Sequence, residues 1–147
     1  MISVRPRYRS KLATAIFDLF NPIPYGLFVG TLIFDIVYAT TYNVFWAKGA
    51  AWLVTAGLVL AIAPRLINLV HVWFSPRGTA APVERLDFWL NLAAIMAAIC
   101  NAFVHSRDGY GIVPLNMILS VLTVGLLSVG HVAVAFGRFG AMETARE

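Results

Sequence analysis

The residues best suited to chemistry in this chain are two charges set inside otherwise apolar runs, Asp35 and Arg65. Charges in such a setting are costly and usually serve a purpose. With the apolar runs as helices of about 1.5 Å rise per residue, Asp35 lies roughly 15 Å from one membrane face and Arg65 roughly 13 Å from the same face. At matched depth on neighbouring helices the two are expected to meet as an intramembrane ion pair. Such a pair is either a proton or substrate site or a structural clamp. The clamp is the simpler reading, because nothing else acidic lies in the apolar core to form a relay, and Asp87 belongs near the interface. A polar stripe accompanies the pair. Thr31, Asp35, Tyr38 and Tyr42 recur at i, i+4, i+7 and i+11, Arg65, Asn68 and His71 every three residues, and Asn91 falls at a depth near that of Asn68. Thr31, Tyr38, Asn68 and Asn91 are therefore the expected polar core, as interhelical hydrogen-bonding groups or as the lining of a small cavity.

Two histidines raise a second chemistry. His71 lies roughly 4–5 Å from the inner end of its run and His131 roughly 9 Å from the inner end of the last one. A b-type haem held between helices needs two imidazoles at similar depth with small residues nearby. His71 and His131 are the candidate ligands, with Gly130 and the alanines Ala93, Ala94, Ala97 and Ala98 supplying space. His105 reads as a solvated loop residue. No nucleotide loop, nucleophile triad or cysteine–histidine metal spacing is present, and the single cysteine, Cys100, reads as a packing residue. An enzyme is therefore the less favoured class.

The elements that must position these groups follow from composition. Of 147 residues 60% are hydrophobic and only 12% are charged, and the mean hydropathy is +0.79. A soluble domain of this size could not cover so much apolar surface. A bilayer core needs about 20 apolar residues as helix, and four runs qualify, at about 25–43, 51–74, 86–104 and 113–137. The expected fold is all-α: an integral membrane four-helix bundle (25–137) with a cytoplasmic tail and short interfacial helix before it (1–24) and a cytoplasmic tail after it (138–147). The interfacial helix is read from Leu12, Ile16 and Leu19/Phe20 following a basic run. Turns are expected at Lys48-Gly49, at 75–82 and at 105–111, with Pro114 in the first turn of the last helix. Small residues at Gly26-x-x-x-Gly30 and Gly57-x-x-x-Ala61 allow close helix packing or a homo-oligomer.

Basic residues set the orientation. Arg5, Arg7, Arg9, Lys11, Arg77, Arg85, Arg138 and Arg146 fall on one side, against Lys48 and Arg107 on the other. The rule that cytoplasmic loops are basic puts both termini in the cytoplasm. The net charge of +4 then faces anionic lipid, not nucleic acid.

The opening Asn21-Pro22-Ile23-Pro24-Tyr25-Gly26-Leu27-Phe28-Val29, the pair Phe34-Asp35 and the segment Trp46-Ala47-Lys48-Gly49-Ala50-Ala51-Trp52 resemble the bacterial membrane family called domain of unknown function 2231, over nearly the whole chain. That family usually opens its first helix with His-Pro and places a second histidine before Phe-Pro-Ile. Here Asn21 stands in the first place and Tyr25 or Gly26 near the second, so any site those histidines form in relatives would be lost. The resemblance implies service beside Rieske or cytochrome domains in electron transfer. Three functions are thus expected to compete: a non-catalytic anchor or partner subunit of a periplasmic oxidoreductase or cytochrome, a haem-b electron-transfer subunit, and a small oligomeric transporter using Asp35 and Arg65.

Overall fold

The computed structural model describes residues 22–74, 82–107 and 111–144. The expected interfacial helix at 10–20 lies outside these residues. Four helices follow one another: α1 (Pro22–Thr41), α2 (Val44–Phe74), α3 (Pro82–His105) and α4 (Leu115–Thr144). Each is long and apolar enough to cross a membrane, over Pro22–Thr41, Val44–Ile62, Arg85–His105 and Leu115–Phe136. Packing runs in a ring, α1 on α2, α2 on α3, α3 on α4 and α4 on α1, as in an antiparallel bundle with short connections.

The first connection differs from its expected place. Lys48-Gly49 lies inside α2, and the turn falls at Tyr42-Asn43. Tyr42 adopts a left-handed backbone, φ 52°, and its N–H donates to the Tyr38 carbonyl at 2.8 Å, which closes the end of α1. Asn43 then starts α2 by accepting the Phe45 N–H on its Oδ1 at 3.0 Å, the role for which asparagine is favoured at a helix start. The turn chemistry of Asn43 outweighed that of Lys48-Gly49. Gly49 is small for a different reason. A Cβ there would stand 2.6 Å from two Phe34 ring atoms, and one on Gly57 would stand 2.8 Å from Phe28. These two glycines let α1 rings lie directly on the α2 backbone. By contrast, a Cβ added to Gly26 would meet nothing within 4 Å, so the expected Gly26–Gly30 packing motif contributes only through Gly30, against Leu53.

Other boundaries shift as well. α1 already begins at Pro22 and buries Pro24, since proline is tolerated in a first helical turn. α4 starts just after Pro114, with Asn116 N–H donating to the Ile112 carbonyl at 3.0 Å.

The interior is layered along the bundle axis. A middle apolar layer is made by Phe28, Val54, Ala94, Ala98 and Leu127. A second, at the end holding the Tyr42-Asn43 turn, is made by Tyr38, Ala47, Val104 and Ile112. On α1 the buried residues Pro24, Phe28, Thr31, Asp35 and Tyr38 form one helical stripe, and it carries Asp35 between the two layers.

A buried carboxylate centre

Asp35 is fully buried, and its neighbours come from two other helices. Asn116 Nδ2 on α4 donates to Oδ1 at 3.0 Å. Ser120 Oγ, one helical turn further along α4, donates to Oδ2 at 2.5 Å. The Ser120 hydroxyl in turn accepts from Asn101 Nδ2 on α3 at 2.7 Å. His105, the last residue of α3, places Nε2 3.0 Å from Asp35 Oδ1, with its side chain only 2% exposed. The two atoms are close without the alignment of a hydrogen bond. One carboxylate thus ties α1 to both α3 and α4.

The ion pair expected between Asp35 and Arg65 does not form, for a reason of register. The shared reference is the turn at Tyr42-Asn43, not the far membrane face. Asp35 lies six residues before the end of α1 and Arg65 twenty-one after the start of α2. At about 1.5 Å per residue the two are separated by roughly 22 Å along the bundle. Helix α2 is 31 residues long against 20 for α1, so reckoning from Phe74 put Arg65 too deep. Arg65 in fact lies twenty-one residues from the start of α2, roughly 31 Å along the helix, about the thickness of a bilayer core. Burial pushes its guanidinium down from the ordinary value, and the Asp87 carboxylate acts in the opposite sense.

The other expected polar residues divide. Thr31 and Tyr38 are buried on the predicted face, although the Thr31 hydroxyl donates to its own helix, at the Leu27 carbonyl. Tyr42 is 60% exposed, because α1 ends one residue earlier. Asn91 is buried, but its amide serves its own helix: Nδ2 donates to the Asp87 carbonyl at 2.7 Å and to Asp87 Oδ1 at 2.8 Å. The side chains of Asn68 and His71 lie outside the described ones. His131 packs its ring edge-on against Tyr25, centroids 5.2 Å apart. The space expected beside it at Gly130 is taken by Asp87, whose Oδ1 would stand 2.8 Å from a Cβ there. Among the described residues no three metal-ligating side chains gather.

Four contributors were missed: Asn101, His105, Asn116 and Ser120. Their signal was spacing. Asn116, Ser120 and Thr123 recur at i, i+4 and i+7 on α4, all buried, and Asn101 and His105 recur at i, i+4 on α3. The bland reading of His105 as a loop residue is corrected by its burial.

The family model described as "Predicted membrane protein (DUF2231)" matches residues 19–142. No curated protein and no solved structure matches the chain.

Proposed function

Because this chain belongs to the DUF2231 family of predicted membrane proteins, we propose that it is a non-catalytic, multi-pass subunit that anchors or accompanies a redox enzyme. The observation that carries the reading is the Asp35 centre sealed between two apolar layers. Such a site holds helices together. A charge buried this way is expensive alone, and the donors of Asn116 and Ser120 offset that cost. The centre therefore acts as the clamp. For a transporter, the path would have to form between copies of the chain.

In this reading both termini face the cytoplasm of a bacterial inner membrane, so the Tyr42-Asn43 turn faces the periplasm. The redox assignment of the partner rests on the family resemblance. Affinity isolation of the full chain in mild detergent tests the role directly. A stoichiometric co-purifying oxidoreductase or cytochrome is expected; a solitary species with its own turnover would refute it.

A further inference from the structure

At the opposite end from Asp35 a cavity of about 270 Å³ opens sideways between α2 and α3. It exceeds the roughly 150 Å³ that admits a benzene ring in an engineered protein cavity. Its walls are apolar, among them Leu58, Ile62, Leu66, Phe88 and Leu92. Ile62, Leu66 and Leu92 are exposed side chains, so the cavity faces the membrane and not the bundle interior. Two polar residues line it, Arg65 and Asn91. Each carries a buried atom with no hydrogen-bond partner: Arg65 Nε, a donor, and Asn91 Oδ1, an acceptor. The Asn91 amide nitrogen is already committed to Asp87. Buried groups of this kind call for a partner. Arg85 is exposed and lies at i, i+3, i+7 with Phe88 and Leu92, so a second guanidinium stands on the same face of α3, towards the membrane surface.

We propose that this cavity holds one acyl chain of an anionic, hydroxyl-bearing glycerophospholipid such as phosphatidylglycerol. The phosphate accepts from Arg65 Nε–H, and a headgroup hydroxyl donates to Asn91 Oδ1. The apolar wall fits the chain, and the two guanidiniums fit the charge. Arg65 stands roughly 31 Å along α2 from the Tyr42-Asn43 turn, about one hydrocarbon thickness away and so near the opposite headgroup region.

The full-length protein, stripped of lipid in detergent, is titrated with phosphatidylglycerol or phosphatidylcholine and read by native mass spectrometry. One phosphatidylglycerol per chain is expected, held about tenfold or more tightly than phosphatidylcholine, which shares the phosphate but sets a choline cation against the two guanidiniums and has no hydroxyl for Asn91. Arg65→Gln should weaken binding and reduce that preference. Leu92→Trp, which fills the groove from its exposed side and leaves Arg65 intact, should reduce occupancy by both lipids. Asp35→Asn, at the far end, should leave lipid retention unchanged in whatever fraction remains folded. Phosphatidic acid, which lacks the hydroxyl, should bind more weakly than phosphatidylglycerol to the native chain and about equally to Asn91→Leu. Equal retention of phosphatidylglycerol and phosphatidylcholine by the native chain overturns the proposal. So does a preference undiminished by Arg65→Gln, or a groove closed by a second copy of the chain with no lipid retained.

Discussion

Removing the Asp35 carboxylate should be among the most damaging single changes available to this bundle. In Asp35→Ala the Asn116 amide and the Ser120 hydroxyl both lose their acceptor, and His105 loses the carboxylate 3.0 Å away. Stranding each of these two buried groups costs about 1–3 kcal/mol. A total loss near 4 kcal/mol shifts the folding equilibrium roughly a thousandfold. Asp35→Asn keeps the shape. Its single oxygen can serve one donor while its amide meets the other, so a smaller loss, about 1–3 kcal/mol, is expected. Equilibrium unfolding in mixed micelles reads both values. A double-mutant cycle adds the decisive comparison. Asp35→Asn with His105→Leu should couple by at least about 0.5 kcal/mol, whereas Asp35→Asn with Arg65→Gln should add within about 0.5 kcal/mol, because the sites are far apart. If Asp35 couples to Arg65 and not to His105, or if Asp35→Ala is as stable as the native chain, the register of α1 against α2 is wrong.

Three further outcomes follow from the packing. Gly49→Ala should destabilise by about 1–3 kcal/mol through overpacking against Phe34. Gly26→Ala, with open space around it, should be neutral or stabilise by up to about 1 kcal/mol; thermal unfolding of the pair in one detergent checks both. Cys100, exposed on the apolar span of α3, should react with a membrane-soluble maleimide and resist a charged one in intact membranes. In Cys100→Ser with Tyr42→Cys, the charged reagent should label the turn from outside intact cells, and labelling only after lysis would invert the proposed orientation.

Much of the architecture was legible in the order of the residues. Four apolar runs, each near the length a bilayer requires, leave a helical bundle as the solution that satisfies every backbone polar group in lipid. The i, i+4, i+7 stripe of Thr31, Asp35 and Tyr38 likewise identified the inward face of α1. Such patterns are local, and a helix's periodicity is written along its own residues. What periodicity could not supply was the register between helices. The turn at Tyr42-Asn43, instead of several residues later, slid α2 past α1 and carried Arg65 away from Asp35. Only the assembled bundle brought His105 from α3 and Asn116 and Ser120 from α4, 70 to 85 positions along the chain from Asp35, onto one carboxylate. Helices in lipid find their mutual heights through side-chain fit, here Phe34 on Gly49 and Phe28 on Gly57, and that fit depends on two surfaces at once.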